Sequence, residues 1–202
     1  MARATVMMGV PTLYVRMLAE PSLTKQAASN MRLFIAGSAP LLPETFDAWR
    51  ERTGHTIVER YGMSETVMLT SNAYHAKDGE RRAGTVGKPL PGVQLRIDSS
   101  KPGEIGGIEV RGPNVFKGYW RMPEKTAEEF TTDLWFKTGD VGKVDEHGVV
   151  SIVGRSKDLI ISGGYNVYPA EVEGLLNEQP GVAESAVVGA PHNREPASTV
   201  PP

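Results

Sequence analysis

The sequence contains no cysteine, which removes a disulfide framework and any thiolate metal site. Long apolar runs are missing too. None approaches the ~18 residues of a membrane-spanning helix. Neither sign of charge dominates: 22 Lys and Arg stand against 24 Asp and Glu, a formal charge of −2. Without a basic run, nucleic acid is not an expected partner. The start, Met1-Ala2-Arg3-Ala4-Thr5-Val6-Met7-Met8, has no long apolar core and no cleavage site, so no signal peptide is expected. The expected compartment is the cytoplasm, or the mitochondrial matrix if the source is eukaryotic. What is present is a chain of 202 residues, 40% apolar, enough for one to two domains with a real core.

Charge chemistry gathers in residues 135–171. Phe136-Lys137-Thr138-Gly139-Asp140 places a carboxylate in what reads as a tight turn. There it can accept two hydrogen bonds from a vicinal diol such as a ribose. Arg155 follows Gly154 at the end of the apolar run 149–153. Its planar fork suits a phosphate or a ribose oxygen. One carboxylate and one guanidinium on neighbouring strand ends can grip one nucleotide. Taken singly, each motif fits an ordinary solvated β-turn as well.

The remaining pattern is α/β. Leu33-Phe34-Ile35-Ala36 is short and wholly apolar, as a buried parallel strand would be. Gly37-Ser38-Ala39-Pro40 follows at its carboxyl end, where ligands gather in open α/β sheets. The next helix has Pro43 in its first turn, Glu44 just inside, and Phe46 and Trp49 on its core face. Residues 57–60 form a strand that ends in Tyr61-Gly62-Met63-Ser64-Glu65. Near the start, Gly9-Val10-Pro11-Thr12 turns into a helix with Leu13, Met17 and Leu18 on one face. From Gly84 the texture changes. Residues 94–97 and 108–111 alternate apolar with polar, as half-buried strands do. Residues 123–130 read as a short acidic surface helix. Residues 159–162 form another strand, and Gly163-Gly164 allows close backbone approach. Pro169 opens a helix with Val172, Leu175 and Leu176 inward, and residues 183–188 form a last strand.

Five blocks carry a resemblance. They are Gly37-Ser38-Ala39-Pro40, Glu59-Arg60-Tyr61-Gly62-Met63-Ser64-Glu65-Thr66, the Thr138-Gly139-Asp140 block, Gly154-Arg155-Ser156-Lys157-Asp158, and residues 161–171. In this order and spacing they resemble the adenylate-forming enzymes, the acyl-CoA synthetase superfamily. Residues 31–34, 59–65 and 114–121 are most similar to malonate–CoA ligases. The resemblance implies an α/β fold with several parts. Residues 1–83 would end a large α/β adenylation domain, and 84–155 would form a small β-subdomain. A hinge would lie at 156–158, and 159–190 would start a small α+β C-terminal domain. Residues 191–202, with no apolar period, would be an atypical disordered tail. The family's phosphate loop and its catalytic lysine match nothing in these residues. The expectation is therefore a fragment, inactive alone, of a ligase that forms an acyl-adenylate and then an acyl-CoA thioester. The acid would be malonate. A ligase for another short or medium-chain acid, and a truncated product with residual nucleotide binding, are the alternatives.

The resemblance also assigns roles. Ser38, Ala39 and Pro40 would wall the adenine. Tyr61 would stack on the base, with Gly62 and Met63 beside it. Ser64 would offer a hydroxyl to the α-phosphate, although most relatives have Thr there. Glu65 would offer a hard oxygen to Mg²⁺. Asp140 and Arg155 would hold the ribose and phosphate of ATP. Gly163, Gly164 and Tyr165 would line the coenzyme A path, and a plain left-handed turn at Gly163 fits as well. Lys157 would be the hinge. Val10 and Pro11 would border the acyl pocket, with Arg16 or Arg32 facing a distal carboxylate. Where the family usually has Asp-Gly-Trp, this chain has Asp133-Leu134-Trp135, which removes a glycine from that turn.

Overall fold

Three parallel strands set the frame. The computed structural model describes residues 4–177, 179–182 and 185–190. Strand β2 (Leu33–Ala36) is buried along its whole length between β1 (Val6–Gly9) and β3 (Ile57–Tyr61). Burial on both faces explains why β2 reads as an unbroken apolar run. Helices α1 (Pro11–Leu18) and α2 (Lys25–Ala28) connect β1 to β2, and α3 (Pro43–Thr53) connects β2 to β3. Both long helices open with proline at the first turn, where its missing N–H is not needed. Gly54, at φ 78°, closes α3 and donates its N–H to the Arg50 carbonyl at 2.8 Å. Phe34, Phe46 and Trp49 form the first core, as their pattern predicts.

The inner face of α1 differs from expectation. Tyr14 is its fully buried residue, and Leu13 is 43% exposed. Tyr14 packs edge-on against Trp49 at 4.9 Å and donates its hydroxyl to the Ile35 carbonyl at 2.6 Å. A tyrosine whose polar tip finds a strand carbonyl can be buried at little cost. Burial pushes its pKa up to about 12.

Short strands β4 (Thr70–Ser71), antiparallel to β3, and β5 (Lys88–Pro89), antiparallel to β4, extend the first sheet. A second sheet follows, β6 (Gln94–Asp98), β7 (Gly106–Arg111), β8 (Phe136–Val144) and β9 (Val150–Arg155), all antiparallel neighbours. Its inner face makes a second core of Ile108, Val110, Phe136 and Val150, which Tyr61 and Leu69 join from the first sheet. Val150 exchanges backbone hydrogen bonds with Val86 and Gly87 at 2.9 and 2.8 Å, tying the two sheets together. Helix α4 (Pro123–Glu129) buries nothing, in keeping with its acidic surface pattern.

Leu134 sits where a glycine was missed. It adopts φ 63° and is 70% exposed. Its neighbours hold it there. Asp133 accepts two hydrogen bonds from the Arg96 guanidinium, at 2.8 and 3.2 Å, and one from the Thr131 hydroxyl at 2.7 Å. These contacts hold the Asp133 carboxyl low, at about 2. The left-handed conformation costs a side-chain-bearing residue roughly 1–2 kcal/mol, and glycine loses part of that gain in backbone entropy. Leu134→Gly should therefore stabilise the chain by up to ~1 kcal/mol, a rise of about 2–4 °C in Tm. A thermal melt that shows no rise, or a fall, would refute the strain.

Beyond β9, residues 156–158 make one 3₁₀ turn. Strands β10 (Ile160–Ser162) and β11 (Tyr165–Val167) then form a hairpin, with Ser162 opposite Tyr165. Gly163 and Gly164, at φ 58° and 82°, supply the two positive-φ residues of a type I′ turn. The strand at 165–167 was not foreseen. Helix α5 (Pro169–Asn177) buries no residue. Its expected inner face is corrected: Leu175 and Leu176 are 66% and 42% exposed, and only Val172 is half-buried. Residues 185–190 form no strand; instead the Val187 N–H bonds the Glu173 carboxylate at 2.8 Å. The rest of that expected strand, at 183–184, and the expected tail at 191–202 lie outside the described residues.

Candidate functional site

In a parallel sheet every strand ends on the same edge. The loops after β1, β2 and β3 therefore share one rim: Val10 and Pro11, Ser38 to Pro40, and Gly62 to Glu65. A rim of this kind is where open α/β sheets bind ligands. Ser38, Ala39 and Pro40 are exposed, and Ser38 stands at φ 68° without being glycine. Strain of that kind persists only where surroundings over-determine it. Gly62 is required by close approach. A Cβ there would lie 2.0 Å from the Val67 carbonyl oxygen, so the loop that carries Met63, exposed Ser64 and half-buried Glu65 folds back upon it.

The second sheet brings Asp140 to this rim. The expected tight turn is corrected to a bulged strand. Gly107 pairs with Val141 and Glu109 with Lys137, so β8 carries extra residues there, with Gly139 at φ 76°. A glycine bulge of this type bends a strand and re-aims the side chain beside it. Asp140 pairs across to Arg155 in β9, and the guanidinium Nε stands 3.6 Å from its Oδ1. The other oxygen, Oδ2, accepts the Tyr61 hydroxyl at 2.6 Å.

Tyr61 thus differs from its expected part. Its ring is buried in the second core, so its hydroxyl, rather than an open ring face, reaches the site. Burial raises its pKa, with the Asp140 charge adding to the shift, so the hydroxyl keeps its proton as a donor. Burial also raises Asp140, opposed by the Tyr61 hydrogen bond and by Arg155.

Beneath the rim lies a carboxyl that was not singled out as a site. Glu59, in β3, is buried, and its Oε1 has no hydrogen-bond partner among the described residues. Desolvation pushes its pKa up to about 8, against backbone hydrogen bonds from Leu41 and Gly84. Its signal was present in the sequence: a glutamate inside an apolar strand.

Of the two candidate acid-reading arginines, Arg32 is misplaced. Arg32 precedes β2 and so lies at the amino end of the strand, opposite the rim, where it donates to the Tyr74 hydroxyl. Arg16 is exposed in the last turn of α1, five residues on from Pro11 at the rim. Gly163, Gly164 and Tyr165 sit on the β10–β11 hairpin, beyond exposed Lys157. Tyr165 is largely exposed. Among the described residues no helix is long and apolar enough to cross a membrane.

Residues 1–120 match the family model of the AMP-binding enzymes. The chain belongs to that family. This AMP-binding chain is 44% identical to the malonate–CoA ligase of Arabidopsis thaliana, over 94% of its own length and 32% of the relative's. It is 58% identical to ATP-bound MatB from Rhodopseudomonas palustris, with a TM-score of 0.91, covering 95% of this chain and 39% of that one. A malonyl-CoA ligase product complex, with methylmalonyl-CoA and AMP bound, is 46% identical with a TM-score of 0.69, covering 94% and 42%. The chain spans about a third of the length of the curated relatives it matches. The expected superfamily and mixed α/β class both hold.

Among the described residues, no group of three His, Cys, Asp or Glu forms a metal cage. Glu65 alone fits a different donor set. Mg²⁺ commonly takes one or two carboxylates and fills its octahedron with phosphate oxygens and water.

Proposed function

We propose that this chain is part of an ATP-dependent carboxylate–CoA ligase acting on malonate. It would supply the end of the adenylation domain (1–83), a β-subdomain (84–155), a hinge (156–158) and the start of a small C-terminal domain (159–190). The observation that carries the proposal is the meeting of three parallel-strand loops with the Asp140–Arg155 pair, held through Tyr61. In the first half-reaction the acid's carboxylate attacks the α-phosphorus of ATP, and pyrophosphate leaves. In the second, the coenzyme A thiol attacks the acyl carbonyl, and AMP leaves. Neither step needs a side-chain nucleophile, so positioning and charge neutralisation carry the catalysis. Ser38, Ala39 and Pro40 would border the adenine, Asp140 and Arg155 the ribose, and Ser64 the α-phosphate. Glu65 would hold Mg²⁺, which when bound neutralises phosphate charge. Gly163, Gly164 and Tyr165 would meet the thiol path.

Malonate is favoured by the 58% identity to MatB and by the Arabidopsis relative. A second acid is a real alternative, because a long-chain-fatty-acid–CoA ligase of Bacillus subtilis is 40% identical. The test uses a full-length carrier: the complete parent enzyme, or a chimera in which this stretch replaces its match in R. palustris MatB. The expected result is a higher kcat/KM for malonate than for acetate or butyrate. A carrier that prefers a monocarboxylate would overturn the acid. Pyrophosphate exchange undiminished by Glu65→Ala would overturn the proposed site.

A further inference from the structure

The loop that carries Glu65 is strained. Val67 is β-branched and non-glycine, yet it stands at φ 57° and is 72% exposed. Nothing in its own exposed side chain explains that conformation. The restraint comes from a segment about 50 residues downstream. The Asn114 side-chain amide donates to the Thr66 carbonyl at 2.8 Å and to the Met68 carbonyl at 3.2 Å, bracketing Val67 on both sides. The Phe116 N–H donates to the Glu65 carbonyl at 2.7 Å. The Tyr119 hydroxyl donates to Glu65 Oε1 at 3.1 Å.

Tyr119 is itself held in place. Its N–H bonds the Thr126 hydroxyl at 2.9 Å, and its ring packs edge-on against Phe116 at 4.8 Å. Phe116 in turn meets Phe136 of the second core at 5.2 Å. The hydroxyl that reaches Glu65 is therefore placed by the core of the second sheet, not by the mobile end of a free side chain. Burial and the Glu65 carboxylate both raise the Tyr119 pKa, so the hydroxyl remains a donor.

We infer that Tyr119 and Asn114 are positioning residues for Glu65. Asn114 holds the loop in its strained form. Tyr119 engages Oε1, which would leave the remaining oxygen, Oε2, for a divalent cation. This rests on the proposed role of Glu65, and the test separates the two. A hydrogen bond to a charged acceptor contributes more than a neutral one. In the full-length carrier, Tyr119→Phe keeps the ring and its packing but removes the hydroxyl. It should raise the Mg²⁺ concentration for half-maximal pyrophosphate exchange about five- to tenfold, with kcat at saturating Mg²⁺ within about twofold. Mn²⁺ binding in the presence of ATP, read by water-proton relaxation without acid substrate, should weaken by the same factor. Glu65→Ala is the reference and should weaken both further. If Glu65→Ala shifts the metal dependence and Tyr119→Phe does not, the positioning role is overturned while the Glu65 proposal stands. If Glu65→Ala shifts neither measurement, both fall. A lower kcat and lower Tm for Tyr119→Phe, with an unmoved metal dependence, would make Tyr119 a packing residue only and overturn the inference.

Discussion

Asp140→Ala should raise the KM for ATP roughly 30- to 100-fold in the full-length carrier, about 2–3 kcal/mol, and leave the order of acid preference unchanged. The geometry sets that size. A ribose diol presents two hydroxyl donors, and hydrogen bonds to a charged acceptor contribute about 1.5–3 kcal/mol each. One carboxylate oxygen is already shared with Tyr61 at 2.6 Å, so the full sum of two such bonds is not available. The lesion also strands the buried Tyr61 hydroxyl, which costs stability of its own. Asp140→Asn separates these effects. It keeps an acceptor for Tyr61 and removes the charge that faces Arg155 at 3.6 Å. The expected order of KM for ATP is wild type, then Asn, then Ala, with only the Ala variant losing several degrees of Tm. A KM unchanged in both variants would remove Asp140 from the nucleotide site.

The legible parts of this chain are the ones whose pattern is local. β2 shows its burial in four consecutive apolar residues, and α3 shows its start through Pro43 and Glu44. The rim loops were legible for the same reason, since each follows its strand directly. What escaped depends on distant partners. Asp140 reads as a turn because Thr138-Gly139-Asp140 is turn chemistry. It is a bulge because β7 is there to pair on both sides of it. The part played by Tyr61 was hidden because its partner lies 79 residues away. Tyr14 displaced Leu13 from the core face of α1 for a similar reason: only the fold supplies the Ile35 carbonyl for its hydroxyl. Arg32 shows a different failure. Composition offers Arg16 and Arg32 as cations for a second carboxylate, but strand direction puts Arg32 at the amino end of β2, away from the rim. Asn114 and Tyr119 were inside a recognised block yet given no role, since nothing in the block says which loop it will brace.

The link at residues 156–158 gives the second large effect. Under the proposed function, adenylation and thioester formation would make different demands on the small domain. One brings a lysine-bearing face over the phosphates, as the family resemblance implies, and the other brings the Gly163-Gly164 turn to the thiol. One site could not hold both faces at once, so on the proposed function the link would have to rotate. Its geometry suits that task, since a few exposed residues can absorb a large φ/ψ change without disturbing either core. Arg155 is extended at φ −112°, ψ 145°, Leu159 is extended at φ −62°, ψ 127°, and a single 3₁₀ turn lies between them. The Leu159 N–H to the Ser156 carbonyl, at 3.3 Å, is its long closing bond. Proline can bias this turn in two directions. At position 156 it needs an extended residue before it, and Arg155 already is one, so Ser156→Pro should lock the turn as it stands. At position 157 it pushes Ser156 out of the helical region, so Lys157→Pro should disfavour the same turn. The present geometry follows ATP-bound MatB, at a TM-score of 0.91, more closely than the product complex at 0.69. The locked form should then be the adenylating one. Ser156→Pro should keep pyrophosphate exchange within about twofold and slow thioester formation at least tenfold, about 1.4 kcal/mol of barrier. Lys157→Pro should instead depress exchange. Opposite responses of the two half-reactions to prolines one residue apart are not expected from a solvated surface turn. No effect of either proline, or equal loss of both half-reactions in both variants at unchanged Tm, would rule out rotation at this link.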